Sequence, residues 1–403
     1  MILNKQVISE LRNAYGDAFY LLDSKQFRQN YMELRSAFRK IYPNFNIAYS
    51  YKTNYIPRLC KIVNELGGYA EVVSDMELEV ALRSGVSAGR VIWNGPVKNV
   101  QKLESFLLAG GTDNVDCLEE LEVVRRIARQ HPDKQLNVGI RCNYNVGDGV
   151  LSRFGFDVDS VDFSEAVRFV TTTPNVHFIN LQCHFAKRQI DYWPARAEGM
   201  VKLIDRLGVV PNRIDIGGGL FGKMAPSLQL QFSSTIPDYK AYAEAAATVF
   251  ARYFADKDVK PELIIEPGSA LVGDCMKFVA TVETIKCVRG KWLATVLGSQ
   301  KNISMSGINP PIEIIAMGGE QKEYHDLDFV GFTCIEGDVL HHNYNGPLAH
   351  GDALVIGNCG SYSLVMKPPF ILPNFAVLDI SEGQTEVIKR AETFDDLFHT
   401  FNF

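Results

Sequence analysis

Short apolar, β-branched runs alternate through the first two-thirds of the chain with longer stretches whose apolar positions recur every three to four residues. The short runs are Asn46–Asn54, Tyr69–Ser74, Val91–Pro96, Asp113–Cys117, Leu136–Asn143, Val176–Phe185, Arg213–Leu220 and Leu263–Ser269. Near-continuous apolar character bounded by turn residues marks strands buried on both faces, as in a parallel sheet. Between them, Ile56–Glu65, Met76–Ser84, Leu118–Gln130 and Tyr239–Asp256 carry the helical period. Eight strand–helix units over roughly 250 residues predict a (β/α)₈ TIM barrel rather than a doubly wound sheet, which usually stops at about six strands.

After Ala270 the pattern changes. Met276–Cys287, Trp292–Leu297, Ile312–Met317, Ala353–Gly357 and Ala376–Ile380 are short and strand-like, with turns between them. They predict a C-terminal all-β domain. Phe19–Asp23 reads as a lone strand ahead of the first long helix. A strand needs a partner, so it is expected to complete the C-terminal sheet. The barrel is then residues 24–270, inserted into a β-sandwich or barrel-like domain made of 1–23 and 271–403.

Composition narrows the class. The 403 residues suit two unequal domains, and 46% hydrophobic with 22% charged residues excludes disordered, collagen-like and coiled-coil chains. A formal charge of −6 offers no electrostatic footprint for nucleic acid. No apolar run approaches the ~18 residues of a membrane span, and the N-terminus lacks signal-peptide form. The eight cysteines include no CxxC pair, which fits reduced thiols and a cytoplasmic location.

Candidate chemistry gathers at the C-terminal ends of the expected strands, where barrel active sites are built. Lys52, in Ala48-Tyr49-Ser50-Tyr51-Lys52-Thr53-Asn54, is either a snorkelling surface lysine or an amine made nucleophilic by desolvation. The run Gly217-Gly218-Gly219 satisfies GxGxxG, but it follows the seventh strand rather than opening a nucleotide-binding unit. It reads better as a phosphate cradle than as a dinucleotide site or a plain turn. Glu266, in Ile265-Glu266-Pro267-Gly268-Ser269, needs a cationic partner, be it a structural ion pair or a protonated pyridine nitrogen. His184 is either a core histidine or a flat ring stacked on a flat cofactor. No HxH or HExxH accompanies it, so no metal is expected. Cys334 is either an inert thiol or a proton donor.

Taken together, these segments resemble the fold-type III pyridoxal-phosphate decarboxylases, the diaminopimelate and ornithine decarboxylase family, over nearly the whole chain. Tyr49-Ser50-Tyr51-Lys52-Thr53-Asn54 is similar to the family's lysine motif, which makes Lys52 the residue that forms an imine with pyridoxal 5′-phosphate. Asn143 with Ser152-Arg153-Phe154-Gly155 resembles its strand-five region. The resemblance implies that His184 stacks on the cofactor, that Gly217, Gly218, Gly219 and Gly268 surround it, and that Glu266 meets its ring nitrogen. Tyr362 matches the phosphate-binding tyrosine. Cys334 and Asp338 match a Cys-x-x-x-Asp element that a partner subunit supplies. The implied reaction is decarboxylation at an amino acid's α-carbon, with Cys334 of the second protomer returning the proton. A homodimer with active sites at the subunit interface and a small amino-acid-type substrate follow from the same likeness.

Three departures bear on the substrate, for which Arg141, Ser269, Ile335, Glu336 and Asp338 are the candidate contacts. Ser269 stands where the family usually has arginine, and Ile335 where an acidic residue usually follows the cysteine, with Glu336 one place later. Phe185-Ala186-Lys187 replaces Ile-Gly-Ser after the histidine. The expected substrate is therefore an amino-acid moiety of a larger, natural-product-like molecule, with Lys187 and Arg188 as a new basic pair. The alternatives are diaminopimelate decarboxylation proper, a pyridoxal-phosphate racemase, a catalytically idle cofactor-binding protein and, remotely, a nicotinamide-dependent oxidoreductase.

Overall fold

The computed structural model describes residues 3–303, 309–381 and 383–403, and the chain divides into two compact units. One comprises Arg28–Phe221 and Ile236–Ala270, the other Met1–Phe27, Gly222–Thr235 and Leu271–Phe403. The segment Gly222–Thr235, expected within the barrel span, groups with the sheet unit.

The first unit is a closed parallel barrel. Its strands, one to eight, are Phe45–Ser50, Tyr69–Val72, Val91–Trp93, Thr112–Val115, Leu136–Asn143, Val176–Gln182, Arg213–Asp215 and Glu262–Ile265. Each pairs in parallel with the next, and Leu263 opposite Phe45 closes the ring. All eight expected strands are present, but most end before the sequence pattern does. Apolar character persists past the last ladder pair because the loops at this end are buried as well. Capping fixes where the helices begin. Ser74 accepts from the N–H of Glu77 ahead of Asp75–Arg83, and Asp238 from that of Ala241 ahead of Tyr239–Tyr253. Each cap satisfies a donor the helix cannot, a contribution of about 1 kcal/mol.

The second unit is mainly sheet. Ala18–Leu22 lies antiparallel to Met276–Ala280 and parallel to Ala376–Asp379, so the N-terminal strand does complete the C-terminal sheet. Several elements escaped the sequence pattern, strand Glu386–Lys389 and helix Phe394–Phe398 among them. Helix Lys5–Tyr15 buries Ile8 and Leu11 in an apolar cluster with Phe19, Leu21 and Val279. Strands Lys322–Val330 and Val339–Leu348 form a bulged antiparallel pair, with Asp326 and Asn343 in the left-handed region. No described helix is long and apolar enough to cross a membrane.

Candidate active site

Each barrel strand delivers one polar side chain to the same end of the interior. Ser50 opposes Glu71, Arg141 opposes Gln182, and Gln182 opposes Asp215, so these side chains share a face. The two-residue period of the strands adds Asn94, Asn114 and Glu266 to it. All eight are buried. A barrel filled for stability alone would carry branched apolar side chains here.

Hydrogen bonds tie the ring together. Lys52 sits in the single turn Tyr51–Thr53 after strand one, and its Nζ lies 2.6 Å from Glu71 Oε2. Ser50 Oγ donates to the same oxygen at 2.5 Å, and Asn94 Nδ2 donates to Glu71 Oε1 at 3.2 Å. Asn94 also donates to Glu266, as does Gln182 Nε2 at 3.2 and 3.3 Å. Asn114 orients Asn94 through a 2.6 Å bond. Arg141 Nη1 donates to the Asn94 carbonyl at 3.3 Å. Asp215 Oδ1 accepts from the N–H of Gly217 at 2.9 Å, while Oδ2 has no donor and neighbours the Glu266 carboxyl.

These contacts set the charges. Burial alone would raise the Glu71 carboxyl, but Lys52 and the donors around it hold it below the usual range. Burial pushes Asp215 up to about 7. Glu266 is raised well above the ordinary value, by burial first and then by Asp215 and Glu71. Burial, with Lys52 and Arg141 adding to it, lowers the His184 imidazole well below its usual range, so it is neutral. Three buried carboxyl groups thus face one ammonium, the Arg141 guanidinium being paired with Asp116 at 3.5 Å. A proton held between Asp215 and Glu266 relieves part of this excess, and a cationic ring nitrogen beside Glu266 would relieve the rest.

The loops leave room for a phosphate. Gly217 and Gly219 have φ of +71° and +84°. A Cβ on Gly217 would meet the Cys183 carbonyl at 2.5 Å, one on Gly218 the Glu266 carbonyl at 2.4 Å, and one on Gly268 Thr53 Oγ1 at 1.9 Å. The N–H groups of Gly218, Gly219 and Leu220 donate to no acceptor among the described residues. Orphaned donors on a side-chain-free turn are an anion cradle. The residues present therefore fit pyridoxal phosphate. No cluster able to hold a metal ion occurs among the described residues.

A family model, the pyridoxal-binding domain of pyridoxal-dependent decarboxylases, matches residues 28–273. The chain belongs to this family. It is a pyridoxal-phosphate-dependent carboxy-lyase acting on an amino acid. The diaminopimelate decarboxylase of Aquifex aeolicus is 26% identical over 409 residues, covering 96% of this chain and 92% of the relative. That of Archaeoglobus fulgidus is 26% identical over 413 residues, covering 97% and 94%. A solved diaminopimelate decarboxylase from M. jannaschii shares the fold with a TM-score of 0.86 at 23% identity, covering 98% of this chain and 94% of its own.

The barrel unit brings Lys52, Arg141, His184, Gly217, Gly218, Gly219, Glu266, Gly268 and Ser269 to one end. Cys334, Ile335, Glu336, Asp338 and Tyr362 belong to the sheet unit. There Cys334 is exposed, Ile335 is 45% exposed, and Tyr362 holds a left-handed φ of +60°. Asp338 is buried and its carboxylate is filled by its own surroundings. Oδ1 accepts from Ser299 Oγ and the N–H of Gln300 at 2.9 and 2.7 Å, and Oδ2 from Thr333 Oγ1 at 2.5 Å. It orders the Cys334 loop and has little capacity left for the substrate contact expected of it. Sequence reasoning missed Glu71, Asn94, Gln182 and Asp215. Each is a single polar residue at the end of an apolar strand, the same signal that singled out Lys52 and Glu266.

Proposed function

We propose that the protein removes the α-carboxylate of diaminopimelate, using Lys52, His184 and Glu266 in the barrel and Cys334 from a second copy of the chain. The observation that carries this reading is the buried trio Glu71, Asp215 and Glu266 facing the single ammonium of Lys52 beside an empty-handed glycine cradle. Relatives named diaminopimelate decarboxylase, similar over almost the whole chain, support the substrate.

Lys52 would hold pyridoxal phosphate through its amine, Glu266 would face the ring nitrogen, and the Gly217–Gly219 backbone would hold the phosphate. Once bound, the cofactor supplies an electron sink for the pair left on Cα as carbon dioxide departs. Glu71 keeps the Lys52 amine in place at 2.6 Å. Neutral His184, backed by Gly217, offers a flat face without adding positive charge beside the ring. Glu266, steadied by Asn94 and Gln182, holds the proton needed at the ring nitrogen. Cys334 Sγ, exposed on its own chain, delivers a proton to Cα. Two-fold pairing would let each copy serve the other's barrel.

A specific observation favours a second reading. Exposed apolar Ile335 offers no charge to a distal amine, whereas a larger conjugate would lie against it comfortably. A panel of free diaminopimelate, ornithine, arginine and amino-acid conjugates, incubated with holoenzyme and followed by mass spectrometry, tests both. Lysine formed fastest from diaminopimelate supports the proposal. Turnover confined to conjugates overturns the substrate and leaves the chemistry. Inversion at Cα with the carboxylate retained overturns both.

A further inference from the structure

Arg196 is the most deeply buried arginine in the barrel unit, fully inaccessible within helix Trp193–Leu207. A buried guanidinium ordinarily sits against a carboxylate. This one does not: among the described residues it forms no ion pair, and its Nε has no partner at all. Asp148 acts on it only at a distance. Cys183 and Tyr144 beside it are neutral, since burial raises both titrations. It lies over the Trp193 and Phe185 rings at 4.8 and 5.7 Å, and its hydrogen bonds go to three peptide carbonyls. Nη1 donates to Gly218 O at 2.6 Å, and Nη2 donates to Phe185 O at 3.2 Å and to Lys187 O at 2.5 Å.

Those three bonds have a consequence on the far side of each peptide. In a trans peptide the carbonyl and the following N–H point in opposite directions, and no described peptide is cis. Turning the carbonyls of Phe185, Lys187 and Gly218 onto the guanidinium therefore turns the N–H groups of Ala186, Arg188 and Gly219 away from it. None of these three N–H groups donates to an acceptor among the described residues. A donor bonded to its carbonyl polarises each peptide and strengthens the N–H opposite. The loops Gly217–Gly222 and Glu266–Ser269 carry no cation, whereas the loop after His184 carries Lys187 and Arg188.

We propose that Arg196 is the buried counter-charge of the cofactor's phosphate, acting through the Gly218–Gly219 peptide and the loop after His184 as a positioning residue. It faces the back of the cradle while the phosphate occupies the front. This rests on the cradle reading above and deepens it.

Binding of pyridoxal phosphate and of pyridoxal, which lacks the phosphate, to apoprotein of the wild type, Arg196→Gln and Arg196→Lys is the test. The readout is the ratio of the two dissociation constants, which a general loosening of the fold does not move. Arg196→Gln, with the charge gone, should cut the preference for the phosphorylated form by roughly 10- to 100-fold, the range for a charge-assisted interaction. Arg196→Lys, with the charge kept, should lose less than about 3-fold. An unchanged ratio in Arg196→Gln overturns the proposal and leaves the cradle standing. Should Arg196→Gln not fold, Arg196→Met takes its place: a preference cut by about 10-fold or more supports the charge, and a smaller change refutes it. No preference in the wild type overturns proposal and cradle together.

Discussion

Replacing Asp215 by asparagine isolates the proton stored under the active site. Asp215 Oδ1 accepts the N–H of Gly217 at 2.9 Å, and an asparagine oxygen can keep that bond, so the glycine turn survives. What disappears is the titration. Unfolded, the carboxyl ionises above about pH 4. Folded, burial keeps it protonated up to about 7. Between those values the folded apoprotein binds more protons than the unfolded chain, so this contribution is full below about pH 4 and is lost as pH rises through about 7. A rise of about three pH units corresponds to a ceiling of about 4 kcal/mol, and sharing the proton with Glu266 cuts this to about half. At roughly 2–4 °C per kcal/mol for a unit of this size, the melting curves should separate by about 5 °C. The assay is thermal melting of apoprotein from pH 4 to 8, plotted as variant minus wild type. Glu77 and Glu120, also pushed up to about 7 by burial, tilt both curves alike and cancel in the difference. The difference should climb in favour of Asp215→Asn as pH rises. Parallel curves would refute the stored proton.

Gly218→Ala should abolish pyridoxal-phosphate binding, measured by loss of the bound cofactor's visible absorption, because its Cβ would lie 2.4 Å from the Glu266 carbonyl. Cys334→Ala should slow decarboxylation by ~10²-fold or more while leaving cofactor affinity unchanged, as expected for removal of a general acid. Lys52→Ala alone should be inactive and Cys334→Ala alone no faster than that residual rate, yet mixed and allowed to exchange subunits they should regain activity above either, because one mixed site then holds both residues. No recovery after demonstrated exchange would place the acid elsewhere.

The barrel was legible because both faces of its strands are buried, leaving apolar runs such as Val91–Trp93 that only a parallel sheet explains. The ends were not. Asn46–Asn54 runs on in sequence, but the ladder stops at Ser50 and the chain turns through Tyr51–Thr53 to present Lys52. Strand Lys322–Val330 stayed hidden because charged, exposed positions interrupt its alternation and Asp326 bulges it. Within the site, Lys52, His184, Glu266 and the glycines stood out as polar residues or turns ending apolar strands, and the family resemblance gave them their roles. Glu71, Asn94 and Asp215 carry the same signal singly, and only register across eight strands collects them on one face. Arg196 gave no sign at all. An arginine in a helix reads as a solvated residue until packing shows it buried.

The most direct test of the chemistry is release of labelled carbon dioxide from carboxyl-labelled diaminopimelate by the pyridoxal-phosphate-loaded protein, beside Lys52→Ala. The expected result is stoichiometric release with lysine formed by the wild type, and none above background from the variant. Release that persists without Lys52, or lysine-free reaction that keeps every carboxylate, would contradict the account.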